Sequence, residues 1–378
     1  MAVYTGRELP NNAPIGEAGR SPGDPPKCSG LVERVRPSES AGITVGIAGL
    51  GLIGGSLGLA LRRARSAGIL DSPGICNAPG HYVSPGWWHA PGHYVSPGRW
   101  HVLGHDVAPG VGERALALGA VDEMAPSLKS LAARADVLVV AAPTSQVVPV
   151  VLEAARHMAP HTVITDCGSV KAPIVQALAL GLGLRSDGLR SDGLRSDVEF
   201  IGGHPMAGAE TQGIDAAAPD LFTGARWALS QVPGRPASRL AQEKVESLIR
   251  AAGATPVYVD ASEHDRAVAF CSHMPYVLAV ALALTCRRAG ESTPALELLA
   301  ARSFRDMTRV ARALPAAPLD YCTFNKAYLL QALDSLRGSF EALRSALSGD
   351  ERDSLCSMAS AAREFILAMD DQRRDVCI

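Results

Sequence analysis

Ile43-Thr-Val-Gly-Ile-Ala-Gly49-Leu-Gly51-Leu-Ile-Gly54-Gly-Ser56 is the stretch that decides the fold. A short, β-branched apolar run ends at Gly49, and Gly49-x-Gly51-x-x-Gly54 then opens a helical pattern carrying Leu57, Leu59, Ala60 and Leu61. Strand, tight turn and helix in that order are the setting that dinucleotide binding requires. Gly49 permits the turn, Gly51 lets the backbone approach a pyrophosphate, and Gly54 lets helix and strand pack closely. The pyrophosphate would rest on the helix N-terminus at Leu52 and Ile53, where unpaired N–H groups and the helix dipole favour anions.

Working outward, a second strand is due, with an acidic residue about 20 positions past the glycines. An interruption comes first. Ala78 to His89 is followed by a near-copy, Ala90 to His101, with Arg99 in place of Trp87, and then by a degraded third unit, Val102 to Gly110. The third unit reads as the real strand because it alone carries Val102-Leu-Gly-His-Asp106, and the copies upstream read as a loop insert near 72–100. Asp106 then takes the position that hydrogen-bonds the adenosine ribose. Val107, Ala108 and Pro109 follow it with no Arg to hold a 2′-phosphate, so the pattern predicts NAD over NADP.

Helices over 111–118 and 127–134 lead to a buried strand from Asp136, whose end at Ala142-Pro143 is also assigned to the cofactor. A strand over 161–166 runs into a helix with Pro173 in its first turn, and three copies of Leu-Arg-Ser-Asp-Gly make a second loop insert near 184–197. Strands from Val198, Trp227 and Pro256, with a helix over 237–252, complete the alternation. From Ala261 only helical periods remain, broken by Gly290, Pro294, Pro315, Pro318 and Gly349. The fold class is therefore α/β: a Rossmann-type doubly wound sheet over 43–260, followed by an all-α domain over 261–378. Residues 1–42, rich in Gly, Pro, Ser and Asn, read as a disordered leader. The Ala- and Leu-rich helices carry more apolar surface than so short a domain can hide, which predicts a homodimer.

Composition narrows the function further. The 378 residues carry a net charge of −2 with both signs interspersed, so no basic footprint points to nucleic acid. The longest apolar run, around Tyr276 to Cys286, falls short of a bilayer span, and no membrane association is expected. The eight cysteines show no metal-ligand or disulfide spacing, so no metal is expected, and reduced thiols in a cytoplasmic protein are.

Four further signals follow the glycine turn in order: Asp166-Cys-Gly-Ser169-Val-Lys171; Gly202-Gly-His204-Pro-Met-Ala-Gly208-Ala-Glu210; His264-Asp265 with Ser272-His273-Met-Pro275-Tyr276; and Phe304-Arg305-Asp306-Met-Thr-Arg309. Ser169, between a strand and a helix, reads as an N-cap. Arg302, Arg305, Arg309 and Arg312 recur at helical spacing and so share one face. His273 and Tyr276 share another face, and Pro275 between them predicts a kink.

Together these motifs resemble the prephenate/arogenate dehydrogenase family of tyrosine biosynthesis, over about Ile43 to Asn325 apart from the inserts. The resemblance implies NAD-dependent oxidative decarboxylation of prephenate to 4-hydroxyphenylpyruvate, with arogenate as the alternative substrate. It makes His204 the catalytic base and sets Ser169 beside the substrate hydroxyl and the nicotinamide. Arg309 becomes the carboxylate clamp, with Arg305 assisting, Asp306 orienting the pair, and His273 and Tyr276 at the substrate. The family commonly has His at the place of Tyr276 and often Trp at that of Pro318, which leaves the substrate's side chain open. The chain is expected to be monofunctional, with no appended regulatory domain or fused mutase. Two other readings compete: a related two-domain reductase, and an NAD-binding regulator without catalysis.

Overall fold

The computed structural model describes residues 42–67, 100–181 and 197–374. The leader and the bulk of both inserts lie outside the described residues. Eight strands form one sheet: β1 (Thr44–Ala48), β2 (His101–His105), β3 (Glu123–Met124), β4 (Val137–Val140), β5 (Val163–Asp166), β6 (Glu199–Pro205), β7 (Arg226–Gln231) and β8 (Thr255–Tyr258). Their spatial order is β3-β2-β1-β4-β5-β6-β7-β8. All neighbours are parallel except β6 and β7, where Gly203 faces Leu229 in an antiparallel pair. The order reverses beside β1, the switch point at which open α/β sheets bind ligands.

Six helices accompany the strands: α1 (Leu52–Ser66), α2 (Val111–Leu118), α3 (Leu128–Arg134), α4 (Thr144–Ala155), α5 (Ala172–Gly181) and α6 (Arg239–Ala251). Successive strand residues point to opposite faces, and both faces are covered. Val45, Ile47, Val137 and Val139 pack with Leu57, Leu61, Val245 and Leu248 of α1 and α6. Leu138, Val140 and Ile164 pack with Leu131, Val147, Val151 and Ile174 of α3, α4 and α5. This two-sided burial explains why β4 is an unbroken apolar run; each such side chain contributes about 1.5–3 kcal/mol. Trp100, read as the end of the loop insert, is instead a core residue only 1% exposed. Its backbone oxygen accepts a hydrogen bond from Arg65.

After β8 only helices follow: α7 (Ala261–Val268), α8 (Met274–Gly290), α9 (Ala295–Leu299), α10 (Arg302–Thr308), α11 (Ala316–Phe324), α12 (Lys326–Ser348) and α13 (Arg352–Arg374). Four local expectations need correction. The irregularity near Pro275 is a π-helical turn, Ala269–His273, which joins α7 to α8 without a break. Pro275 follows that turn, at the start of α8. The resulting run, Ala261–Gly290, is 30 residues long and apolar enough by length and composition to cross a bilayer, longer than the span read from sequence. Pro318 does not break a helix either; it lies in the first turn of α11. Lastly, α10 ends at Thr308 and a 3₁₀ turn, Arg309–Arg312, takes over, so the four arginines do not share one α-helical face.

Candidate active site

The C-terminal ends of the parallel strands gather most of the candidate residues on one sheet edge. Gly49 follows β1 with φ +96°, and a Cβ there would stand 2.5 Å from the Ala141 carbonyl oxygen. At Gly54 a Cβ would meet the Gly49 carbonyl oxygen at 1.9 Å, so only glycine allows α1 so close to its strand. At Gly51 a Cβ would meet nothing within 4 Å, and α1 starts there with no side-chain cap. An open approach to uncapped N–H groups at Leu52 and Ile53 suits a pyrophosphate.

Asp106 follows β2. Its carboxylate accepts from Leu50 N at 2.7 Å and from Ala108 N at 2.8 Å, which ties Asp106 to the glycine turn. Each carboxylate oxygen keeps a second lone pair for a sugar hydroxyl. Ala142 and Pro143 follow β4 and lead into α4. Pro143 gives α4 no side-chain cap, and Asp320 of α11 supplies one, accepting from Ser145 N at 3.0 Å. These features fit NAD.

Ser169 follows β5 and is half-buried, but it does not cap α5, which starts only at Ala172. The capping carboxylate comes from α7: Asp265 accepts from Lys171 N at 2.7 Å and from Ala172 N at 2.9 Å. Beneath this turn lies a fully buried ion pair, Lys171 with Asp166. The Lys171 ammonium also donates to the Gly203 carbonyl oxygen at 2.6 Å, while Asp166 accepts from Gly203 N at 2.9 Å and Gly168 N at 2.8 Å. The pair thus clamps the residue immediately before His204.

His204, near the end of β6, is 8% exposed and lies 2.9 Å from His264 through Nδ1 and Nε2. His264 in turn places Nδ1 2.7 Å from Asp265 Oδ1. The proton positions follow from these contacts. An ionised carboxylate only accepts, so His264 Nδ1 carries the hydrogen, and in the neutral ring its Nε2 is then a lone pair. His204 must then donate from Nδ1, which leaves Nε2 of His204 unprotonated. Burial holds His204 well below the ordinary imidazole value of 6.5, and the nearby Lys171 ammonium acts in the same direction. A neutral, oriented base at a strand terminus is what this arrangement produces.

His273, at the end of the π-helical turn, is fully buried and stacks on Tyr321 with ring centroids 4.4 Å apart. Tyr276 meets the same Tyr321 edge-on at 6.3 Å. Arg309 forms an ion pair with Glu210, on the loop that leaves His204. Asp306 does not orient it; its carboxylate faces Arg302 at 3.5 Å, and Arg305 is exposed. Among the described residues no group of three or more His, Cys, Asp or Glu side chains is arranged to hold a metal ion.

Two family models match the chain: "Prephenate dehydrogenase, nucleotide-binding domain" over residues 97–258 and "Prephenate dehydrogenase, dimerization domain" over 260–360. The chain belongs to the prephenate/arogenate dehydrogenase family. A prephenate dehydrogenase of Bacillus subtilis is 28% identical over 323 residues, covering 85% of this chain and 75% of the relative. The solved arogenate dehydrogenase of Synechocystis is 25% identical with a TM-score of 0.63, covering 86% of this chain and 100% of that one. The prephenate dehydrogenase of A. aeolicus, solved with hydroxyphenyl propionate and NAD+, shares the fold at a TM-score of 0.68 and 22% identity, covering 87% and 99%.

Within the family's frame, the sequence reading assigned no role to Asp166, Lys171, Glu210, His264, Asp265 or Asp320. The pair His264-Asp265 stood in a quoted motif, yet its partner His204 is 60 positions away in the chain. No spacing rule reports a contact of that range.

Proposed function

We propose that the chain is an NAD-dependent dehydrogenase that converts prephenate to 4-hydroxyphenylpyruvate, with arogenate, giving tyrosine, as the alternative substrate. The observation that carries this reading is the chain Asp265–His264–His204, which leaves a neutral imidazole lone pair at the C-terminal edge of the sheet. Oxidation of the substrate's C4 alcohol releases a proton, and His204 Nε2 is assigned to take it. Bound NAD+ supplies the hydride acceptor. The C1 carboxylate leaves as CO2, and aromatisation of the ring drives the step forward.

Burial of His204 keeps competing water from the base. Arg309 is assigned to a substrate carboxylate, for which a guanidinium offers paired donors; the substrate would take the place that Glu210 holds. Ser169 is assigned to the substrate hydroxyl, and His273 and Tyr276 to the substrate. The turn at Gly49, Gly51 and Gly54, with Leu52, Ile53, Asp106, Ala142 and Pro143, is assigned to NAD.

The active form proposed is a homodimer, supported by apolar side chains left exposed on the helices, among them Leu299, Leu330, Phe340, Leu347, Phe365 and Ile366. A cytoplasmic protein apart from membranes and nucleic acid is supported by the eight cysteines, whose spacing fits no disulfide framework, and by the mixed charge. The polar network on Ala261–Gly290 argues in the same direction, because His264, Asp265 and His273 bond to other elements of the protein.

Product analysis tests the reaction. Prephenate should yield 4-hydroxyphenylpyruvate, or arogenate tyrosine, with one CO2 per NADH. A product that retains the ring carboxylate contradicts the proposal.

A further inference from the structure

Asn325, between α11 and α12, is 3% exposed, and no part of the proposed reaction uses it. Its Nδ2 lies 2.7 Å from the backbone carbonyl oxygen of Asp265 and 3.1 Å from Nδ1 of His273. A carbonyl oxygen only accepts, so the nearer contact fixes which end of the amide is nitrogen. The second hydrogen of the same nitrogen points to His273, whose Nδ1 is therefore the acceptor. Burial drives His273 down to about 4, with opposing effects from Asp265 and His264, so the ring is neutral at neutral pH. A neutral imidazole carries one hydrogen, and here it must sit on Nε2.

His273 Nε2 is buried and has no hydrogen-bond partner among the described residues. A buried N–H left without an acceptor is costly, and native structures keep few of them except for a reason. Asn325 enforces this arrangement instead of relieving it. The ring is tied to the base through one residue: Asn325 donates to the Asp265 carbonyl oxygen, and Asp265 holds His264, the partner of His204. The two ends of one hydrogen-bonded network thus produce opposite results: Asp265, through His264, leaves His204 with a lone pair, and Asn325 leaves His273 with a donor.

We infer that Asn325 is a positioning residue that locks His273 as an Nε2–H donor to a substrate oxygen, a carboxylate or keto oxygen, and so bars an ammonium from that point. This inference rests on the dehydrogenase reading for the identity of the ligand, whereas the proton position stands on the unliganded protein.

The test is long-range ¹H–¹⁵N correlation on protein labelled at its 10 histidines, with His273 assigned by its loss in His273→Gln. The wild type should show His273 as the Nε2–H tautomer. In Asn325→Leu that signal should give way to mixed tautomers, while KM for the substrate rises about two- to threefold, in proportion to the Nε2–H fraction lost, and kcat changes less. An Nδ1–H tautomer in an active wild type would overturn the inference, as would an unchanged KM in a folded Asn325→Leu. If that variant fails to fold, the wild-type tautomer alone decides. A wild type with the Nε2–H tautomer but no turnover would remove the dehydrogenase reading and, with it, the assigned ligand.

Discussion

His204, the proposed base, can take a proton only while neutral, and the residues around it act on that property. Burial, followed by the charge of Lys171, lowers its affinity for protons. Since protonation removes the lone pair, kcat should be level through neutral pH and fall only well below the ordinary imidazole range. His204→Ala should lower kcat by about 10²–10⁴-fold, the usual contribution of a positioned acid or base. Steady-state kinetics across pH checks both; an acid limb at the ordinary imidazole value, or a wild-type profile in the variant, would remove His204 from the role. Arg309 calls for a different measurement. Lys keeps the charge but loses the paired donors, so Arg309→Lys should raise KM well over about tenfold with a smaller change in kcat. An unchanged KM would exclude a two-pronged clamp. At this scale the sequence was only partly legible. The residue types at His204, Arg309 and Asp106 declare their chemistry, but the tautomer of His204 depends on Asp265, and the partner of Arg309 is Glu210 rather than the neighbouring Asp306.

The glycine turn and the cross-capped helices decide function at the scale of elements. Gly54→Ala would put a methyl group 1.9 Å from the Gly49 carbonyl oxygen, a backbone atom that cannot swing away. Displacing α1 from β1 should cost on the order of 1–3 kcal/mol of stability. It should also weaken NAD+ binding by at least about tenfold, since the N–H groups at Leu52 and Ile53 move with the helix. Calorimetry and thermal unfolding read the two effects, and unaltered NAD+ affinity in the variant would contradict the assignment of this turn. The strand-turn-helix pattern was legible because periodicity and glycine spacing are local. The cap of α5 was not. Ser169 has the chemistry of a cap, yet Asp265 from α7 does the capping, 94 positions from Lys171. Likewise the change to a 3₁₀ turn at Arg309 leaves no mark in an arginine spacing that fits an α-helix equally well.

Across the whole molecule, the sheet gathers the residues assigned to cofactor and base on one edge while α7 and α11 reach over to it, so the helices contribute to the proposed site that the sheet begins. Asp265 and Asp320 each cap a helix of the sheet layer, which couples the placement of the helices to the base and to the Ala142-Pro143 turn. The helices also carry an apolar face that this chain alone leaves uncovered, including Phe365 at 63% and Ile366 at 55% exposure. Sedimentation should therefore give twice 39.4 kDa, and Phe365→Ser with Ile366→Ser should shift the protein toward monomer; a monomeric wild type at micromolar concentration would contradict the dimer. The most direct test of the central claim is NADH formation by the purified chain with NAD+, offered prephenate and arogenate in parallel. Steady NADH production with at least one of them is the predicted result. NAD+ binding without turnover of either would contradict the account and leave a dinucleotide-binding protein that is not this dehydrogenase.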